Sequence, residues 1–369
     1  MIKFSCKRED IVSAVSKAEK AVPPKSSLPV MEGILVNALK DCIILTGNDL
    51  EIAIEAKFNA DVTECGKIVL NCRMFSDIIR KTGGDTVNFE TNEKNVAKIT
   101  SGLSVFEISG INADEFPDPF DFEINSSIVM ETSLLKSMIR QTIFATSKSE
   151  FRQTLTGELF RVIEDTLNVV ALDNHRIAIR KEKFIRNDGV TKFVVPFKTL
   201  NEFLKIAGDE GEVEIFPSKR FLMFEFGGCK LISRVIDGEY INYDKIIEVQ
   251  SSTKVRADIR KMRDTFNRVQ PIIFNEKVKS PVKLNLSGGI ITIDCATLTG
   301  KVHDETNVDV LYGDDLEIGF TNQYLVDAFS ACDDDEVFLE FSTPLSPLVI
   351  TPLEGDKFLY VILPVRLRK

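Results

Sequence analysis

The sequence predicts an α+β protein written three times in tandem, each copy carrying two helices against antiparallel sheets. Three observations carry this expectation: a helical stripe that returns every 124 residues, a second helical stripe at nearly the same interval, and short alternating strands between them. The first stripe opens at Arg8, Thr132 and Arg256, in "REDIVSAVSKAEKAV", "TSLLKSMIRQTIFAT" and "RADIRKMRDTFNRVQ". Its apolar positions are Ile11, Val15, Ala18 and Val22; Leu135, Met138, Ile139 and Thr142; then Ile259, Met262, Phe266 and Val269. That spacing lines one side of a helix and faces it to a core.

The second stripe lies in "NCRMFSDIIRKTGGD", "PFKTLNEFLKIAGDE" and "FTNQYLVDAFSACDD", with anchors expected at Phe75, Leu200 and Tyr324. Each follows a short β-type run ("KIVL", "FVV", "LEIGF") and precedes another ("TVNFE", "EVEIF", "EVFLEF"). Strands such as "VFEIS", "LNVVAL", "FLMFEF" and "IITID" alternate between, punctuated by Gly, Asp and Asn. Polar, Ser-containing junctions at "FEINSS" and "VQSSTK" put the copies at residues 1–126, 127–249 and 250–369.

Composition narrows the function. No apolar run reaches the roughly 18 residues that span a bilayer, and the N-terminus "MIKFSCKRED" lacks a signal-peptide core. Seven scattered cysteines without a C-x-x-C argue against disulfides and zinc, and for a reducing cytoplasm. With two histidines, no histidine-rich metal cluster can form, and neither metal nor cofactor is expected. The net charge of −10 hides an uneven distribution. The three windows holding the first helices sum to +8, which leaves −18 for the remainder. Lys17 and Lys20, Lys136 and Arg140, and Arg260 and Arg263 are three or four apart, hence on one helical face and opposite the apolar stripe. One such face is commonly just solvated. Three equivalent ones in an acidic chain suggest a polyanion passing one surface, met through phosphates and without sequence readout.

"NVVALDNHRIAIR" places Asp173 two residues from His175, the composition of a general-base pair. Nothing completes a catalytic set: the chain has no G-x-S-x-G, no P-loop, no dinucleotide fingerprint and no cysteine near the turn. The expectation is a binding site and not a reaction, with no catalytic residue.

Long motifs, in order along nearly the whole chain, resemble the bacterial sliding clamps, the beta subunits of DNA polymerase III. They include "KSSLPVMEGILV", "LTGNDLEIAIEA" and "SGLSVFEISGINADEFPD", then "RQTLTGELF", "ALDNHRIAIR" and "SRVIDGEYINYDKII", then "IIFNEK", "LEIGFTNQYLVDAF" and "YVILPVRL". The resemblance implies three DNA-clamp domains per chain and a head-to-tail homodimer closed into a ring around duplex DNA. Helices would line the hole. The implied function is that of a polymerase processivity factor. Its implied partners are the DNA polymerase III alpha or PolC-type polymerase, the clamp loader, repair polymerases and mismatch-repair proteins, each through a short clamp-binding motif. A monomeric triplicate scaffold that binds only proteins is the alternative, and a hydrolase using Asp173 and His175 is a more distant one.

By the same resemblance, a peptide pocket is implied at Leu155, Leu172, Asn174, His175, Arg176, Ile177, Ile241, Ile246, Val361, Leu363, Pro364, Val365, Arg366 and Leu367. Asn174 replaces the family's usual glycine, and Asn tolerates positive φ. Leu172 stands for a common Thr and Ile241 for a Pro, which makes the pocket more apolar; Arg368 and Lys369 lengthen the tail. DNA-facing positions are Lys17, Lys20, Lys25, Arg73, Arg80, Lys136, Arg140, Lys148, Ser149, Arg152, Lys198, Arg260 and Arg263. The aromatic residues frequent in the family at Gln153 and Thr154 are missing. The implied dimer interface is Phe106 and Ile108 on one edge with Ile272 and Ile273 on the other, and Val105 replaces a basic neighbour. Phe106 and Ile108 share one side of a strand, which equally fits that strand's own core.

Overall fold

The computed structural model describes residues 1–117, 124–248, 250–273 and 280–367. The chain forms two compact units, the first from 1–133, 185–190 and 198–235, the second from 134–184, 191–197 and 236–369. The units do not follow the repeat junctions, because strands of the middle copy extend the sheets of both neighbours. In unit 1 one fourteen-stranded sheet runs Arg186–Asp188, Ser127–Glu131, Glu212–Pro217, Phe221–Phe226, Cys229–Arg234, Ile52–Asn59 and Cys42–Asn48. It continues through Gly33–Ala38, Gly66–Asn71, Ser104–Ile111, Val96–Ser101, Thr86–Thr91, Lys3–Lys7 and Asp61–Glu64. The first and middle copies meet in it where Cys229–Arg234 pairs antiparallel with Ile52–Asn59.

Unit 2 holds a nine-stranded sheet in the order Lys192–Pro196, Gly157–Ile163, Thr166–Leu172, Arg176–Lys183, Phe358–Ile362, Leu348–Pro352, Glu336–Phe341, Thr253–Asp258 and Asp309–Tyr312. The middle and last copies join in it through Arg176–Lys183 and Phe358–Ile362, with Ile177 opposite Val361. A four-stranded sheet runs Lys301–Asn307, Ile290–Ala296, Val282–Ser287 and Leu316–Phe320.

Seven α-helices lie among the described residues: α1 (Arg8–Ala18), α2 (Cys72–Lys81), α3 (Thr132–Thr142), α4 (Phe197–Ile206), the single turn α5 (Asp244–Ile247), α6 (Ile259–Ile273) and α7 (Asn322–Ala331). The repeat stripes are buried as expected: Ile11, Val15 and Ala18 on α1, Leu135, Met138 and Ile139 on α3, Met262, Phe266 and Val269 on α6. Two expectations need correction. Residues 256–258 finish a strand, and α6 starts at Ile259 because Asp258 Oδ1 accepts the Lys261 amide at 2.9 Å, an N-cap. In the third copy Leu325 is the buried anchor, while Tyr324 is half-buried and lies against the Arg176 guanidinium. Phe75, Leu200 and Leu325 recur every 125 residues, closer than the predicted set. Phe4 stacks on Phe89 at 4.8 Å in unit 1, and Phe266 on Phe329 at 5.4 Å in unit 2.

Alternation gives the Gly157–Ile163 strand two buried faces. Leu159 points with Val170, Leu172, Ile177 and Val361 into one apolar cluster. Glu158 points the other way and is fully buried, with Thr142 Oγ of α3 2.8 Å from its Oε1 and Oε2 unpartnered among the described residues. Burial holds this carboxyl well above its usual range, and the Thr142 contact offsets only part of that. The Thr142 hydroxyl donates to Glu158 Oε1 and also lies 2.9 Å from the Met138 carbonyl, so the carboxyl shares its one donor with the α3 backbone. The unfolded chain ionises first, so the contribution of Glu158 to stability is complete below the unfolded carboxylate pKa. It is lost as pH rises towards the folded one. Glu158→Met, unbranched and of similar volume, should therefore melt above the wild type at pH 8. The gap should narrow towards pH 5 in paired thermal scans, and a gap independent of pH would contradict the assignment.

Candidate peptide-binding site

The "DNHR" segment is a side-chain-capped turn joining two adjacent strands of unit 2. Asp173 Oδ1 accepts the amides of His175 at 2.8 Å and Arg176 at 3.0 Å, while the Asp173 amide donates to the Arg176 carbonyl at 3.0 Å. The turn thus needs no left-handed residue: Leu50, Asn95 and Glu164 are the non-glycine positive-φ residues described, and Asn174 is not among them. The tolerance invoked for Asn174 is not used. Asp173 also answers the general-base question, since its carboxylate is occupied by backbone amides and by Arg176. The exposed His175 ring stacks on Tyr324 at 5.6 Å.

Arg176 is the hub of the turn and is only 8% exposed. Its Nε donates to Asp173 Oδ2 at 3.1 Å, and its two terminal nitrogens donate to Asp327 Oδ2 and the Phe144 carbonyl, each at 2.5 Å. The guanidinium lies 4.6 Å from the Tyr324 ring centre and 5.3 Å from that of Phe144. Arg176 lines a cleft with Phe144 and Lys148, while its donors are met from within and hold the turn to α7 and to the 3-10 turn Ile143–Ala145.

Beside this turn an apolar cluster gathers Leu155, Leu172, Ile177 and Val361, all buried, with Ile241 half-buried. Four further members, Ile236, Tyr240, Tyr243 and Ile247, come from the 236–247 segment. Sequence reasoning passed over these, although "EYINYDKII" offers two tyrosines with polar tips that can anchor a loop. Tyr240 donates from its hydroxyl to the Val170 carbonyl at 3.2 Å. Arg161 reaches Asp244 at 3.1 Å and Tyr243 Oη at 3.4 Å. Ile246 is exposed while its neighbour Ile247 packs against the cluster, because adjacent residues of the α5 turn point about 100° apart.

The C-terminal segment leaves the sheet at Pro364, which has no N–H to continue a ladder. The Leu363 amide donates to the His175 carbonyl at 2.8 Å, and the Val365 amide donates to the Gly319 carbonyl at 2.9 Å. Gly319 permits this crossing: a Cβ there would lie 2.7 Å from both the Val365 carbonyl oxygen and Leu367 Cδ2. Leu363 and Arg366 are exposed, and Pro364, Val365 and Leu367 half-buried. Arg368 and Lys369 lie outside the described residues. The result is an apolar cluster between a side-chain-capped turn and a tyrosine-pinned loop, with the tail tied to the same turn at the His175 carbonyl.

The basic positions separate into groups. Lys25, Arg73, Arg140, Lys148 and Arg152 are exposed, as is Ser149, and Lys17 is half-buried. Lys198 is held at 2.6 Å by both Asp49 and Glu51, Arg80 by Glu19 at 2.5 Å, and Arg260 by Asp335 at 3.1 Å. Lys20 stands 3.9 Å from Glu19 and Arg263 3.9 Å from Asp264. Lys136 departs from expectation: it is buried, because α3 is covered on more than its apolar stripe, and the open basic face assigned to that helix reduces to Arg140. Unit 1 has a cleft of about 520 Å³ lined by Glu19, Lys20, Pro24 and Glu32. Unit 2 has one of about 820 Å³ lined by Ile143, Phe144, Lys148 and Thr156, the positions 124 residues on. The repeat therefore reproduces a cleft as well as helices.

At the expected interface positions Ile108 and Ile273 are already buried in the cores of their own units, while Phe106 and Ile272 are half-buried. Leu103 and Val105 are the exposed apolar residues at the start of that first strand.

Sequence profiles of the DNA polymerase III beta subunit match in succession, the N-terminal domain over residues 2–120, the central domain over 129–242 and the C-terminal domain over 245–366. The beta sliding clamp of Staphylococcus epidermidis is 31% identical over 99% of this chain and all of its own length. A putative DNA polymerase III beta subunit from Eubacterium rectale superposes with a TM-score of 0.93 at 33% identity, both chains fully covered. The DNA polymerase sliding clamp of Bacillus subtilis superposes with a TM-score of 0.93 at 30% identity, again over the whole of both chains. Triplicate architecture, full-length identity and full-length superposition agree, and the chain belongs to the family of DNA polymerase III beta subunits, the bacterial beta sliding clamps.

Proposed function

We propose that two chains close head to tail into a ring around duplex DNA, and that the apolar surface of unit 2 receives short peptide motifs from the replicative polymerase, the clamp loader and repair proteins. Family membership makes the chain a DNA polymerase processivity factor. It acts in the cytoplasm by tethering and not by catalysis, since a polymerase held at high local concentration rebinds faster than it diffuses away. The observation that carries the peptide reading is the convergence of the strands flanking the capped turn, the 236–247 segment and Val361 of the last strand on one apolar cluster, with the tail tied beside it to the His175 carbonyl. The domains run over 1–126, 127–249 and 250–369.

Two open ladders support closure. The Ser104–Ile111 strand is bonded through Ser109 only to Val96–Ser101, and Lys301–Asn307 only to Ile290–Ala296, among the described residues. Joining one edge to the other's partner copy removes both, and a rotation that closes yields a ring and not a fibre. Phe106 and Ile272 have surface left to bury there; Ile108 and Ile273 support them from beneath. The exposed Lys25, Arg73, Arg140, Lys148 and Arg152 face the phosphates in this reading, a weak and salt-sensitive contact.

The test is topological. The protein is loaded on nicked circular DNA by its cognate loader and ATP, isolated at high salt, and the circle is then cut. Retention on the circle and loss from the linear form is the expected result. Failure to survive high salt on the circle, with an active loader, would instead favour the scaffold that never encircles DNA.

A further inference from the structure

We propose that Asp327 of α7, acting through Arg176, is a positioning residue for the peptide site, setting the turn and tail without touching the peptide. The inference rests on the reading of that site as the place where partner peptides bind. Asp327 is absent from the wall of the apolar cluster. It opens instead onto the 820 Å³ cleft that Phe144, Lys148 and Arg176 itself also line. Its Oδ2 accepts from Arg176 at 2.5 Å, and its Oδ1 accepts from Gln323 Nε2 at 2.7 Å, so both oxygens are directed. Arg176 passes this on through Asp173, whose other oxygen fixes the His175 and Arg176 amides. The His175 carbonyl then holds the first tail amide, that of Leu363. Four hydrogen bonds in series thus join a carboxylate in that cleft to the first residue of the tail. Tyr324, three residues before Asp327, seats the cation and the His175 ring from the same helix.

A neutral amide at 327 keeps the shape, removes the charge that matches Arg176 and can present an N–H where an acceptor is needed. The experiment uses the full-length protein and a fluorescein-labelled peptide carrying the short clamp-binding motif of the same organism's replicative polymerase. Binding is read by anisotropy, and hydrogen exchange by mass spectrometry. Asp327→Asn should weaken the peptide about tenfold. Exchange should rise at the His175 and Leu363 amides while the rest of unit 2 stays protected. Gln323→Ala, a milder change that frees one oxygen of Asp327, should weaken it about threefold with the same local exchange pattern, and serves if the first variant folds poorly. Peptide affinity within about twofold of wild type for both variants overturns the inference. So does an affinity loss accompanied by uniform exchange throughout unit 2, which would mean plain destabilisation. A chain lacking residues 363–369 separates the two readings. If it binds the peptide normally, the site itself is wrongly assigned; if it fails while Asp327→Asn binds normally, only the positioning role falls.

Discussion

A chain ending at Ile362 should fold and should lose its peptide partners almost completely. Ile362 is buried, and its strand remains paired on both sides, to Arg176–Arg180 and to Leu348–Ile350, so the sheet stands without residues 363–369. The removed segment contributes Leu363, Val365 and Leu367, three apolar side chains that are exposed or half-buried and so available to a ligand. Losing their contact area costs binding about 3 kcal/mol or more, about a hundredfold in affinity. The expected pattern is abolished peptide binding and unprocessive synthesis, with melting temperature and chain association near wild type. Titration with the labelled polymerase peptide decides it. Unchanged affinity would move the peptide site elsewhere.

Arg176→Ala should be the more damaging single substitution, and its damage should appear first as lost stability of unit 2. The guanidinium is 8% exposed and its partners Asp173 and Asp327 are 17% and 23% exposed, so truncation strands two poorly hydrated carboxylates. It also leaves the Phe144 carbonyl without this donor and removes the plane that Tyr324 and Phe144 pack against. Breaking a buried pair in this way costs about 3 kcal/mol. For a unit of this size that lowers the melting transition by roughly 6–12 °C. Lysine should not rescue, because one ammonium cannot reach Asp173, Asp327 and the Phe144 carbonyl along three fixed directions. Calorimetry of wild type, Arg176→Ala and Arg176→Lys provides the comparison. A lysine variant that melts like wild type would show that charge alone suffices.

Much of the fold was legible because periodicity is a local property. The stripes through Ile11, Leu135 and Ile259 identified first helices in each copy, and the motifs around Asp173 and Pro364 pointed to two segments that the structure brings together, where the Leu363 amide meets the His175 carbonyl. The misplaced residues share a cause. The position of Lys136 opposite an apolar stripe says that the far side is polar, not that it is uncovered. Ile247 was passed over beside the equally apolar Ile246, since only the rotation of one helical turn sets which of them packs on the cluster and which stays exposed. Tyr324 looked like a core anchor because the core position is its immediate neighbour, Leu325.

The amino-acid sequence by itself determined the elements, their threefold recurrence, the uneven charge and the family, since each follows from pattern within a few tens of residues or from order along the chain. The tertiary structure alone decided that the middle copy shares its strands with both neighbours, so that the compact units cut across the repeats. It alone decided what Arg176 does, because Asp327 is 151 positions away and Phe144 is 32. A guanidinium has five donors and no local preference among carboxylates. Its partners are chosen by packing, and packing is settled only when distant segments meet.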